Sequence, residues 1–327
     1  MKTAAAATNP SSVEPAPASS PPTRSARHAL AVAAAFIAAA TLPATAIAQA
    51  GAAGAMSSSA SVSGLATFNS NLDGNGGSFD WSGAIASASL KRQLSPEWSI
   101  GFNVGYQYER WSFSSNSAFG SQAPWGTINR PGVGFNLGYQ VQPDLGLFIA
   151  PQFAWDYETG ASQSGQNFGA VVGATKFFSR GLVLGLGAGV FRQIDETKVF
   201  PFVIVNWQID DKWKLANPFR AGPAGGAGLE LVYAIDDNWE AAGGGTYRQY
   251  RFRLKDSGPN ANGIGQNQAI PLFARLTRKL GPRGHLDLYA GAAVAGTLKL
   301  QDPNGNTLVS SDYNAAPFVA LTLAGEF

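Results

Sequence analysis

The chain has 327 residues, of which 13% are charged and 45% hydrophobic, with 39 glycines and a formal net charge of +2. So low a charge density argues against an ion-covered, fully solvated surface, and so small a net charge argues against nucleic acid or another strong polyanion as the main partner. Cysteine is absent, which excludes disulfides, thiol nucleophiles, thiolate metal sites and a cysteine-linked lipid anchor.

The N-terminus predicts export. Residues 1–27 are rich in Ala, Pro and Ser and end in Arg24 and Arg27; "ALAVAAAFIAAA" follows, and "ATAIAQA" offers a cleavage site at Ala46-Ile47-Ala48. The apolar run is shorter than the roughly 20 residues a helical span needs, and Pro43 breaks it. The expected organisation is a leader with a cleavable signal over 1–48, a short periplasmic segment over 49–60, and a membrane domain over 61–327.

From Trp98 the sequence alternates with period two: Trp98, Ile100, Phe102, Val104, Tyr106 and Tyr108 share one parity, and Gly, Asn, Ser, Gln and Glu occupy the other. A strand in a soluble sandwich runs about five or six residues, whereas one crossing a bilayer at a tilt needs about nine to eleven. The pattern returns in "GVGFNLGYQVQ", in "LVLGLGAGVF" and in "LDLYAGAAVAGTLKL", always with one apolar parity and one small or polar parity. Strands are expected to begin near Ser61, Ser78, Trp98, Gly132, Leu145, Phe168, Leu182, Val199, Trp213, Gly228, Trp239, Gln268, His285 and Ala315. The fold class is therefore all-β: a transmembrane antiparallel up-and-down β-barrel of about 14 strands, or about 12 if the weakly apolar first strand and the ninth, closely followed by Pro218, are lost.

Connections alternate in length. Tight corners such as "SPEW", "QPDL", "SRGL", "DDKW", "DDNW" and "GPRG" alternate with long segments, Ser112 to Arg130, Lys255 to Gln268 and Gln301 to Asn314, which is the layout of a periplasmic rim opposite an outer rim. In "LSPEW", "IDDKW" and "IDDNW" a polar corner precedes a tryptophan, so Trp98, Trp213 and Trp239 are expected at one height, as a girdle where an indole buries its ring and keeps its N–H wet.

The last segment, "PFVALTLAGEF", alternates Val319, Leu321, Leu323, Gly325 and Phe327 against smaller or polar residues and closes on phenylalanine. It resembles the assembly signal of Gram-negative outer-membrane barrels, with Gly325 where such signals often carry a larger residue. The stretch "FPFVIVNWQIDDKWKLANPF" is similar to uncharacterised families of such barrels, which carry no assigned activity. The resemblance implies location in the outer membrane, insertion by the barrel assembly machinery, and contact with outer-membrane lipid and lipopolysaccharide.

Enzyme chemistry is poorly supported. Past the leader the one histidine is His285, in a short periplasmic corner, and without a positioned base the loop serines are not activated nucleophiles. No cofactor is expected. No metal is expected either: "DGNGGS" and "DPNGN" lack the spaced carboxylates and terminal Glu of a calcium loop and read as turns. "GLGAG" fails dinucleotide spacing and reads as the lumen side of a strand.

The remaining constellation is lumen charge. A register slip near Gln249 is expected to turn Tyr250, Phe252 and Leu254 toward lipid and Arg248, Arg251 and Arg253 inward, joined by Arg275 and Lys299. Glu109 and Asp156 are expected inward on the opposite wall. A basic wall facing an acidic one creates the transverse field of a charge-selective constriction; in the other reading, Glu230 and the two acids simply neutralise the arginines, and outer-rim arginines could also meet lipopolysaccharide phosphates. The favoured function is a porin-like channel for small polar or anionic solutes. Its rivals are a non-conducting structural or surface-interacting barrel working through its outer loops, and a transporter of hydrophobic compounds. Inward glycines on the third, fourth and seventh strands favour an open lumen, whereas inward Phe200, Phe202 and Ile204 favour a packed or apolar interior.

Overall fold

The computed structural model describes residues 54–74, 76–218, 225 and 227–327; the leader and its cleavage site lie outside them. Eighteen extended segments form one sheet, and four of them continue a neighbour across a short break, leaving fourteen strands. We label these β1 (Met56–Thr67, continued by Ser70–Asn71), β2 (Ser78–Gln93), β3 (Trp98–Phe113), β4 (Thr127–Gln142), β5 (Leu145–Trp155, continued by Tyr157–Glu158), β6 (Gln166–Ser179) and β7 (Leu182–Gln193). The second half comprises β8 (Glu196–Gln208), β9 (Trp213–Ala216), β10 (Gly228–Ala234), β11 (Trp239–Thr246, continued by Arg248–Arg253), β12 (Ile264–Lys279), β13 (Gly284–Gln301) and β14 (Thr307–Tyr313, continued by Ala316–Glu326). Each strand pairs antiparallel with the next, and β1 closes onto β14 with Ser59 opposite Glu326. The protein is a closed fourteen-stranded antiparallel β-barrel.

Period two explains why these residues form a membrane wall. On β3 the outward residues Trp98 to Tyr108 are all exposed, while Gly101, Asn103, Glu109 and Trp111 on the other parity are buried. Ten residues at about 3.4 Å each, tilted by about 40°, give an apolar band about 25 Å tall. Strands run beyond this band: β1 begins at Met56 rather than Ser61, and β3, β4, β12 and β14 extend into the ends of what the sequence marks as outer loop.

The three tryptophan corners share one construction. Asp210 Oδ1 accepts the N–H groups of Lys212 and Trp213, each at 2.8 Å, and Asp236 Oδ1 accepts those of Asn238 and Trp239 at 2.7 and 2.8 Å. Ser95 Oγ does the same for Trp98 N–H at 3.1 Å. The side-chain oxygen thus satisfies the corner's backbone donors and starts the next strand on the indole. Trp98 packs on Tyr139, Trp213 on Tyr233, and Arg278 lies over the Trp239 ring. Asp210→Ala and Asp236→Ala are each expected to lower stability by about 1 kcal/mol, additively, as read by urea titration of the refolded barrel in lipid vesicles.

The outer end is narrower than the membrane section. β9 and β10 are short, and β11 leaves β10 after Tyr247 N–H donates to Ala227 O. The upper segment of β11 then crosses to β5, where Arg253 faces Tyr157 in a parallel bridge and donates its N–H to Asp156 O at 2.9 Å. Since β5 also pairs with β4 at that height, β1–β5 and β11–β14 close a nine-stranded ring inside the outer mouth. β6–β8 stand outside it, their hairpin tip at Asp195 and Glu196 tied to Arg251 of the ring.

Candidate functional site

The interior is arranged in layers. Within the outer ring lies an aromatic plug: Trp81 stacks on Trp111 at 5.5 Å, Trp125 meets Trp111, Phe113 and Phe252 edge-on, and Phe79 meets Tyr313 at 4.9 Å. Residues 114–126 fold inward to deliver Phe119 and Trp125 to this cluster. Buried Glu158 holds that loop in place. Its Oε1 accepts Gly126 N–H at 2.8 Å and its Oε2 accepts Lys255 N–H at 3.0 Å, so one carboxylate staples two of the long outer loops to the end of β5.

Beneath the plug is an ionic layer. Glu109 accepts from Arg130 at 2.7 Å, from Gln107 at 2.7 Å and from the Trp111 indole at 2.9 Å. The Arg130 guanidinium lies 4.2 Å from the centre of the Tyr250 ring, and Arg248 covers both Tyr250 and Trp81. Asp156 accepts from Asn167 at 2.5 Å. In the periplasmic half Arg275 is wedged between Glu230 at 3.1 Å and Asp287 at 3.6 Å, with Thr277 bonded to both Arg275 and Asp287; His285 reaches Asp287 at 3.4 Å. Small hydroxyls line the wall nearby, as in Ser61 with Ser87 and Ser63 with Thr322.

The expected transverse field is not assembled. Glu109 and Asp156 do face inward, but Glu109 is paired with Arg130 of the adjacent strand, not set across an open lumen. Glu230 neutralises Arg275 directly. Nor does β11 slip at Gln249: Gly245 faces Leu272 and Arg248 faces Ala269 in the same register, so Arg248, Tyr250, Phe252 and Leu254 share the inner face, and Phe252 is 0% exposed in the plug. Arg251 and Arg253 occupy the opposite face, where Arg251 meets Asp195 at 2.8 Å and Glu196 at 3.0 Å, and Arg253 donates to Asn262 O and Pro303 O. The irregularity sits on β13 instead, where Ala295, at φ 49°, is an extra residue opposite β12. That bulge reverses parity, turning Leu298 and Leu300 inward and placing Lys299 on the face shared by Arg251 and Gln266.

The inward glycines do not mark open space on β7. A Cβ at Gly187 would run into the Phe202 ring and one at Gly189 into the Phe200 ring, so these glycines seat the phenylalanines of β8. On β3 and β4, Gly134 lies beneath Asn103 and Gly138 beneath Ser99. The "DPNGN" turn is closed by its own acid: Asp302 accepts from the Asn306 side chain and from Asn304 and Asn306 N–H, which holds its carboxyl below the usual carboxylate range.

The inner wall of β5–β8 forms a separate apolar face. Register sets Gln152, Gly169, Phe191 and Lys198 side by side, then Ala150, Val171, Gly189 and Phe200, then Phe148, Gly173, Gly187 and Phe202, with Ile204 one step further toward the periplasm. Phe191 stacks on Phe200 at 6.0 Å and 14°. Large residues alternate with glycines across the strands, so the rings interlock into a continuous strip. Arg130, Glu158, Asn167 and Gln193 were not singled out by the sequence reading. Extending the inward parity of β4 from Gly132 back to Arg130, and that of β7 from Gly189 on to Gln193, exposes two of them.

No protein-family model matches the chain, and no curated protein matches it. Among solved structures it is similar to an outer-membrane channel from Pseudomonas putida F1 at 12% identity, covering 86% of this chain and 98% of that one with a TM-score of 0.43. A Pseudomonas aeruginosa FadL homologue matches at 10% identity over 83% and 90% of the two chains, with a TM-score of 0.42. The Pseudomonas putida toluene transporter TodX matches at 10% identity over 83% and 89%, with a TM-score of 0.43. Scores at this level assign this chain neither a family nor a solute.

Proposed function

We propose that the barrel is a passage for small hydrophobic compounds through the outer membrane. The observation that carries this reading is the Phe148, Val171, Phe191, Phe200, Phe202 and Ile204 strip on the inner wall of β5–β8. Two further features support it. The most deeply buried lumen charges are spent on one another, Glu109 with Arg130 and Arg275 with Glu230 and Asp287, so they are not free to select a polar solute. The outer ring is filled with aromatic side chains, which blocks a straight water-filled bore and favours a path along the apolar wall beside it. An apolar compound leaving water gains about 25 cal/mol per Å² of surface covered, so such a strip lowers the cost of crossing without any charged contact.

The test is uptake of a fluorescent apolar probe into proteoliposomes. The wild type is expected to accelerate entry over protein-free vesicles, and a Phe200→Ser, Phe202→Ser double variant to lose at least about tenfold of that acceleration, since two ring contacts of about 1 kcal/mol or more each are removed. A wild type that leaves apolar entry unchanged yet carries a steady, charge-selective ion current would return the assignment to a porin.

A further inference from the structure

We propose that the upper end of the β5–β8 wall is a binding site for an amphiphilic small molecule, its apolar body on the phenylalanine strip and an uncharged hydrogen-bonding head among Gln152, Asn167 and Gln193. This rests on the functional reading above and names the class of solute it implies.

The site is built from three neighbouring amides. Gln193 is 0% exposed at the tip of β7, and neither its Oε1 nor its Nε2 has a hydrogen-bond partner. Asn167 stands directly beside it in register on β6; its Nδ2 donates to Asp156 while its Oδ1 is unpartnered and buried. Gln152, one step toward the periplasm on β5, likewise has both amide atoms buried without a partner. Between Gln152 and Phe191 lies Gly169, where a Cβ would meet Val190 O and both the backbone and the ring of Phe191, so only a glycine lets that strand and its ring pack this close to the amides.

Buried amide groups are nearly always satisfied, because their desolvation is costly; three adjoining exceptions indicate groups reserved for a partner from outside the chain. The chemistry of that partner follows from theirs. An amide offers both donor and acceptor, which complements a hydroxyl or another amide. The neighbouring charges discourage an ionic head: Arg251 is already held by Asp195 and Glu196, Lys198, in the row of Gln152 and Phe191, lies 3.5 Å from Glu196, and Asp156 places acceptor oxygens beside Asn167. Below the amides the Phe191, Phe200 and Phe202 rings follow one another at 6.0 and 6.4 Å, an apolar surface directly continuous with the head site.

The measurement is equilibrium binding to the detergent-purified barrel of three probes sharing one ring system: naphthalene, 1-naphthol and 1-naphthoate. The expected order is naphthol tighter than naphthalene by at least about tenfold, with naphthoate no tighter than naphthalene; sites built around a substrate hydroxyl discriminate strongly against analogues lacking it. Gln193→Leu and, separately, Gln152→Leu should abolish the preference for naphthol while leaving naphthalene binding within about twofold. Equal binding of naphthol and naphthalene to the wild type overturns the head site, and this comparison needs no variant to fold. Tightest binding of naphthoate overturns the uncharged head. If naphthol loses its preference while naphthalene still crosses proteoliposomes, this inference fails and the proposed function stands. If no probe binds or crosses, both fail.

Discussion

Replacing Glu109 with alanine is expected to cost the barrel about 3–5 kcal/mol, because it strands a buried guanidinium. Glu109 is 1% exposed and collects three hydrogen bonds, from Arg130, Gln107 and the Trp111 indole. Without it, Arg130 keeps the faces of Tyr250 and Phe252 but no carboxylate in direct contact. Removing one partner of such a pair is far more damaging than replacing both with apolar groups of similar volume. The double variant Glu109→Leu, Arg130→Leu should therefore lie closer to wild type than Glu109→Ala does. Urea titration of the barrel in vesicles reads both, and a Glu109→Ala barrel within about 1 kcal/mol of wild type shows that the ionic layer does not brace the outer ring.

Opening of the outer mouth is the expected result of Glu158→Ala. The wild type is predicted to be silent to ions in a planar bilayer, because the aromatic plug fills the ring. Glu158 holds two of the long outer loops by accepting Gly126 and Lys255 N–H, and the Gly126 segment carries Trp125 into the plug. Hydrogen bonds to a charged acceptor contribute about 1.5–3 kcal/mol each, so losing both should raise the open population by about a hundredfold or more. Glu158→Ala should then show repeated ion-conducting openings and faster proteolysis within residues 114–126. A variant as silent and as protease-resistant as wild type would mean that the ring packing holds the loops without the staple. Glu158→Gln can still accept from one loop and should fall between the two.

The departures from the sequence reading have local causes. The alternation that marks the wall depends on lipid contact, and it ends at the outer edge of the apolar band. Above it, both faces of β11–β13 are covered, one by the plug and the other by the β7–β8 tip, so Phe252 and Arg251 are both buried on opposite sides of one strand. Parity there is not reported by hydrophobicity. The bulge at Ala295 is equally silent, since the residues on either side, Val294 and Gly296, suit a regular strand as well.

The residue pattern by itself determined the barrel: about fourteen strands, their lipid-facing parity within the apolar band, the tight corners and the tryptophans that follow them. These are one-dimensional properties, because a strand in a bilayer answers chiefly to the solvent on its outer face and a corner to its own few residues. Only the tertiary structure decided what fills the interior. Whether Gly187 opens a lumen or seats a ring depends on Phe202 of the next strand, and whether Glu109 faces a field or a partner depends on Arg130. Such outcomes are set by contacts across strands and across the barrel, where charge, ring and glycine meet only after the ladder has closed.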